Sequence, residues 1–248
     1  MEKLIEILKE FDEIRKRDVN EDKWRDKSIE EKYEAIAEWF RPCAEKILCN
    51  GYFLINGKYI IDLGAIELYY HEEDGDIKDF IMYHTNAHPS KSRLFKLNND
   101  AFPYYNFGSF NLHQSGVDVT FENEKKRYRA SFLIRSYRVL EAENGMYPKT
   151  VSVKYDPHST HIFDDMFYGG VTLNGGTEIL WIPTGKPGGE IELLERINVA
   201  VYEKPNVKKE ILISEKEYSK AKHIKTNKKY YERDLRPWRF QIKNIVEE

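Results

Sequence analysis

The stretch Ile60-Ile61-Asp62-Leu63-Gly64-Ala65-Ile66-Glu67-Leu68-Tyr69-Tyr70-His71-Glu72-Glu73-Asp74 carries residue types from which a site for a flat, polar substrate can be assembled. An apolar run leads to Glu67, two tyrosines follow, and the run breaks into an acidic turn. A carboxylate at the exit of a strand can act as a base, and an aromatic ring beside it can face a flat, polar substrate. The competing reading is plain alternation, in which Ile66 and Leu68 turn inward and Glu67 sits on a solvated strand face. Tyr69 and Tyr70 are equally the residue type that pleated surfaces favour. Arg135 follows the apolar run Phe132-Leu133-Ile134. It is either a structural ion-pair partner or, if Glu67 is close, part of the same site.

Other groups with chemistry are weaker. His158-Ser159-Thr160-His161 with Asp164 and Asp165 has metal-ligand types, but two His three apart in a Gly/Pro-rich segment fit loop hydrogen bonding better, and no metal is expected. Cys43 and Cys49 are six apart with no Cys or His at metal-ligand spacing, which points to reduced core thiols. The pairs Gly169-Gly170, Gly175-Gly176 and Gly188-Gly189 match no phosphate-cradling spacing and read as turns. Positive charge gathers at Lys91 and Arg93 and in the C-terminal segment. From Lys204 to Glu248 there are 13 Lys/Arg against 7 Asp/Glu, a local charge of +6. There Lys228, Lys229, Arg236 and Arg239 interleave with Tyr230, Tyr231 and Trp238, a mixture that suits a nucleic-acid backbone and equally a solvated helix face.

The elements that must hold these residues follow from periodicity. Leu4, Ile5, Leu8, Phe11 and Ile14 recur at helical spacing; a second helix starts at Ser28, where Glu31 completes a capping box. Val19 to Lys27 reads as a polar connection. Pro42 opens a third short helix, Cys43 to Leu48, closed by Asn50-Gly51. The period then switches to two. Tyr52 to Ile55 and Lys58 to Tyr69 form a hairpin around Asn56-Gly57, which tolerates the positive φ such turns need. Further strands are expected at Gly116 to Glu122, Tyr128 to Leu140, Arg196 to Tyr202 and Pro237 to Val246, with a polar helix from Ser214 to His223. Residues 71–103 read as irregular, and residues 143–189 as turns.

At 248 residues the chain fits one large domain or a core with a small appendage. It is 41% hydrophobic and 33% charged, rich in Tyr and Phe, and carries a net charge of −3, which argues against a protein that simply coats nucleic acid. No apolar run approaches membrane-spanning length, and Met1-Glu2-Lys3-Leu4 lacks the features of a signal peptide, so a cytoplasmic location without a membrane partner is expected.

Several segments, taken in order, resemble the alkyladenine (3-methyladenine) DNA glycosylase family. Arg41-Pro42-Cys43-Ala44-Glu45-Lys46-Ile47-Leu48 is similar to the helix before the family's first strand. Asp62 to Tyr69 with Glu72-Glu73-Asp74 resembles its strand Gly-Arg-Ile-Val-Glu-Thr-Glu-Ala-Tyr and the Pro-Glu-Asp turn after it. Phe132-Leu133-Ile134-Arg135 with Leu140-Glu141 resembles its Leu-Leu-Arg-Ala-Leu-Glu strand; Glu195-Arg196-Ile197-Asn198-Val199 and Arg236-Pro237-Trp238-Arg239-Phe240 resemble its late elements. The resemblance covers residues 41–141 and 195–244.

It implies an α+β fold, a single domain with a curved, mostly antiparallel sheet surrounded by helices (residues 41–248), to which residues 1–40 add a helical extension. It implies hydrolysis of the N-glycosidic bond of a modified purine in double-stranded DNA, by a monomer without cofactor or metal. Glu67 matches the family's general base, Tyr69 its base-stacking ring, and Arg135 the arginine near the water and backbone phosphate. Tyr105, Phe107 and Phe110 supply rings in the region of its intercalating hairpin, and Asp118 stands at its pocket asparagine. The family's lesion-contacting histidine, nine residues after the stacking tyrosine, is here Lys78, and residues 142–194 have no counterpart. Two further classes remain: a non-catalytic nucleic-acid or nucleotide-binding module, and a hydrolase of free nucleosides.

Overall fold

The computed structural model describes residues 1–57, 59–79, 82, 103–113, 116–143, 147–150, 154–157, 179–184, 189–196, 199–203, 210–214, 231–233 and 236–245. Three helices come first: α1 (Glu2–Val19), α2 (Asp22–Asp26) and α3 (Ile29–Cys49). In α1 the buried Leu4, Ile7, Leu8 and Phe11 lie on one stripe. The capping box that opens α3 is complete: the Glu31 amide donates to Ser28 Oγ at 3.2 Å and the Ser28 amide to Glu31 Oε2 at 2.7 Å.

Two expectations about the helices change. Pro42 does not open a new helix but lies inside α3. A proline removes one helical hydrogen bond, but the apolar stripe runs from Ile36, Trp39 and Phe40 to Cys43, Ala44 and Ile47, and its burial holds the helix through it. The connection from Val19 to Lys27 contains α2, because Trp24 packs on Trp39 with ring centroids 4.7 Å apart.

The strands are β1 (Gly51–Ile55), β2 (Tyr59–Glu72), β3 (Ser109–His113), β4 (Gly116–Thr120), β5 (Tyr128–Glu143), β6 (Tyr147–Thr150), β7 (Ile179–Pro183), β8 (Ile191–Leu194), β9 (Val199–Glu203), β10 (Glu210–Ser214), β11 (Tyr231–Arg233) and β12 (Arg239–Ile242). Among the described residues, nine of them form one open sheet with the path β3-β4-β5-β2-β1-β7, while β9, β10 and β11 form a separate three-stranded sheet. All pairings among the described residues are antiparallel. The chain is thus an α+β domain built on a mostly antiparallel sheet. The Asn56-Gly57 turn is present, with φ of 52° and 66°. Expected strand positions shift to Val199–Glu203 and Arg239–Ile242; Ser214 ends β10, and residues 215–223 lie outside the described residues. Residues 143–189 hold β6 and β7 rather than turns alone. At β7, Trp181 lies so close to Gly51 that a Cβ there would sit 2.1 Å from the indole, so a glycine is required.

Strand β2 organises the sheet. One edge pairs along its length with β5; the other is shared by β1 at Tyr59–Ile61 and β12 at Ala65–Glu67. The helices cover one face, where Phe11 meets Tyr70, Phe121 and Tyr128, and Phe40 meets Phe121, Phe132 and Phe240. The boundary expected between residues 40 and 41 falls within α3, and α1 shares one continuous core with the sheet.

Strict alternation fails at one place on β2 and β5, and the failure shapes the site. Ile61, Leu63, Ile66, Leu68 and Tyr70 belong to the helix-side core, as do Tyr137, Ile134, Phe132 and Ala130, so each strand changes parity once. The pairing skips Gly64 on β2 and Arg135 on β5: Leu63 pairs with Tyr137, Ala65 with Ser136 and Ile66 with Ile134. The two irregularities cancel in register. Their effect is on direction, because an extra residue re-aims the side chains beyond it.

Candidate active site

Glu67 lies on the sheet face away from the helices, in a row of register partners running Asn111, Asp118, Leu133, Glu67, Arg239 and Leu194. Neighbouring strands are about 4.8 Å apart, so Leu133 and Arg239 flank Glu67 directly and Asp118 is two strands, about 10 Å, away. The carboxylate is fully buried, not exposed as simple alternation suggests. Its Oε1 accepts the Tyr69 hydroxyl at 2.6 Å and pairs with Arg135 Nη2, which is also 3.1 Å from the Tyr69 oxygen. Three residues separated by up to 68 positions in the chain therefore meet at one oxygen. Arg135 reaches it as the skipped residue of β5.

Burial and the neighbouring Glu67 carboxylate push the Tyr69 phenol well above its usual pKa, so Tyr69 acts as a neutral donor. Burial opposes the Arg135 charge, but Glu67 and Tyr69 outweigh it and raise its pKa. Tyr69 packs with Met82 and Leu133 in a small apolar cluster on this face. The Arg196 guanidinium lies over its ring, 5.0 Å from the centroid. One face of the expected stacking wall is thus occupied by a cation, and the edge of the ring serves Glu67.

Behind the site runs a chain of buried polar groups. Arg196 Nη1 pairs with Asp79 Oδ2 at 2.6 Å, both fully buried. The Asp79 amide donates to His71 Nδ1 at 3.1 Å, which leaves the neutral imidazole's proton on Nε2, 3.8 Å from Glu73 Oε2. Burial lowers the His71 pKa to about 4. Glu73 pairs with Arg129 at 2.6 Å, and Arg129 also reaches Glu122 at 3.2 Å. Sequence reasoning singled out neither Asp79 nor Arg129 and assigned Arg196 no role; Asp79 follows Lys78 and Arg129 follows Lys125-Lys126-Arg127, so neither stands out as a charge in an apolar segment.

The other expected site residues divide. Arg239 is half-buried beside Glu67, and Asp118 is buried in the same row. Phe107 and Phe110 do not join the site. Phe110 pairs with Val119 on the helix side and meets Phe53 at 5.5 Å, and Phe107 meets Phe121 at 6.4 Å. Because Asp118 faces Glu67, its strand neighbour Val119 and Val119's partner Phe110 must face the helices. The Tyr105 amide donates to Glu122 at 2.8 Å. Arg236 is buried, not presented to a phosphate: its guanidinium stacks on Tyr33 and Trp238, 4.6 and 4.8 Å from their centroids. Lys78 Nζ bonds the Glu73 carbonyl at 2.7 Å and so braces the turn after β2. Lys91, Arg93, Lys228, Lys229, His158 and His161 lie outside the described residues. Among the described residues no cluster of three or more His, Cys, Asp or Glu could hold a metal ion, and no helix is long and apolar enough to cross a membrane. Cys43 and Cys49 are free thiols.

No protein-family model, no curated protein and no solved structure matches this chain.

Proposed function

We propose that the chain is a base-excision DNA glycosylase with an alkyladenine-glycosylase-like fold, hydrolysing the N-glycosidic bond of a modified purine with a Glu67-activated water. The observation that carries this reading is the meeting of Glu67, Tyr69 and Arg135 at one buried point on the sheet face the helices leave uncovered. Glu67 takes the proton of the attacking water. The water oxygen bonds to C1′, and the C1′–N bond breaks with its electron pair leaving on the purine. The positive charge that develops on the sugar is stabilised by the same carboxylate. Tyr69 and Arg135 hold that carboxylate in place, Arg135 having the fork geometry for a carboxylate and a phosphate together. Glu67 has no exposed surface, so the reaction requires an open state that admits the water and the flipped nucleotide.

A second reading, a binding module without catalysis, is favoured by another observation. On the helix side of β2, Glu72 accepts the Tyr70 hydroxyl at 2.8 Å and pairs with Arg15 of α1 at 3.5 Å. The same three residue types there simply dock a helix.

The test is base release from duplex oligonucleotides carrying alkylated or deaminated purines, run beside the corresponding free nucleosides. Release from the duplex supports the proposal. Salt-dependent duplex binding without release selects the binding module, and release from nucleosides alone selects a nucleoside hydrolase.

A further inference from the structure

The ring of Tyr69 is covered by one member of a buried ion pair, Arg196 with Asp79, and that pair extends the site across the domain. The Arg196 guanidinium lies between two rings, 5.0 Å from the Tyr69 centroid and 5.2 Å from that of Trp238. Arg236 continues the stack between Trp238 and Tyr33, and Trp238 Nε1 donates to the Tyr33 carbonyl of α3 at 2.9 Å. Asp79, which fixes the other side of Arg196, is tied to β2 through its amide and His71. Arg196 is therefore clamped by an acid, a helix-anchored indole and the tyrosine it covers. All of Arg196, Asp79 and Trp238 are fully buried, where a cation over a ring is least weakened by water.

We infer that Arg196, locked by Asp79, is a positioning residue for the Glu67 site: it fixes the Tyr69 ring so that the hydroxyl points at the carboxylate, and its charge makes that hydroxyl a stronger donor. A tyrosine hydroxyl moves with its ring plane, so clamping the ring sets the 2.6 Å contact to Glu67. The positive field over the ring also withdraws electron density from the phenol, which Arg196 does in the direction opposite to burial. The consequence for catalysis rests on the glycosylase proposal. The consequence for Tyr69 does not.

The experiment follows both. Arg196→Met alone would strand Asp79, so it is made with Asp79→Leu, since replacing a whole buried pair with apolar groups preserves folding where removing one partner does not. Arg196→Lys, which keeps the charge pair, is the second variant. In full-length protein carrying 13Cζ-labelled tyrosine, the Tyr69 resonance, assigned by its loss in Tyr69→Phe, shifts in the double variant and shifts less in Arg196→Lys. Base release in the double variant falls by about 10- to 100-fold. In a Tyr69→Phe background the same double replacement changes the rate by no more than about twofold, because the coupled partner is already gone. An unmoved Tyr69 resonance in the folded variants, or an equal loss of rate in both backgrounds, overturns the inference. Should the wild type release no base, the resonance decides the positioning role while the glycosylase proposal falls by itself.

Discussion

Glu67 and Glu72 each accept a tyrosine hydroxyl two residues away on the same strand and each meet an arginine, yet they face opposite layers. What separates them is their surroundings. Glu72 lies under α1, whereas Glu67 lies on the face opposite α1 and α3, in the row of Asp118 and Arg239 and near the Arg196–Asp79 pair. The Tyr69 phenol gives this site a titratable signature. Its pKa in the folded chain is raised, so the folded state holds the proton more tightly than the unfolded one. The stability it contributes is full below the unfolded value of about 10 and is lost as pH rises above it. Titration followed by tyrosinate absorbance should show Tyr69, taken as the difference from Tyr69→Phe, ionising only as the fold is lost. A Tyr69 that ionises near pH 10 in the folded protein would contradict the buried contact. At this scale Glu67, Tyr69 and Arg135 were legible in the sequence, because each is a polar or amphipathic residue in an apolar run. Asp79 and Arg129 were not, since each stands close behind other charges, Asp79 after Lys78 and Arg129 after Lys125-Lys126-Arg127, where nothing in the sequence marks burial.

At the scale of elements, the paired irregularity at Gly64 and Arg135 decides which side chains share the site. Asp62 and Glu67 stand an odd number of residues apart and would face opposite layers on regular strands. The parity change puts both on the face opposite α1 and α3, where Asp62 accepts Arg138 at 2.6 Å and the Tyr155 hydroxyl at 2.8 Å. Gly64 permits it: a Cβ there would lie 2.5 Å from the Tyr155 ring and 2.7 Å from Ser136 Oγ. Gly64→Ala should therefore lower stability by about 1–3 kcal/mol through overpacking, read by urea denaturation. An unchanged midpoint would show that Tyr155 yields freely. Alternation predicts the strands well but cannot reveal a parity change, which depends on two strands at once. Phe107 and Phe110 were set near the site by the resemblance to an intercalating hairpin, and Pro42 reads as a helix start because proline suits a first turn, whereas packing carries α3 through it.

For the whole molecule, the first helices are part of the fold and not an appendage. Phe11 lies among five rings, and Asp12 and Arg15 bond Tyr128 and Tyr70 of the sheet at 3.0 and 2.5 Å. Removing residues 1–27 would expose that core and leave Tyr70, Glu72 and Tyr128 without these partners. Such a truncation should show no cooperative thermal unfolding by circular dichroism; a cooperative transition near that of the full chain would restore the view of an independent unit. The sequence pattern showed helices there but not their docking, because a stripe such as Leu4-Leu8-Phe11 does not reveal which surface it meets. Helices before Tyr52 and strands after it were legible from the switch in period there, while the α+β class was what the resemblance implied. The strands β6, β7 and β8, short and set among Gly and Pro, were not.

In the proposed reaction Glu67 activates the water. Single-turnover base release from a duplex with one modified purine, comparing wild type with Glu67→Gln, tests it most directly. The wild type should release the base and the glutamine variant should do so about 10²–10⁴-fold more slowly, with duplex binding kept. Equal rates in the two proteins, or no release from either while both remain folded, would contradict it.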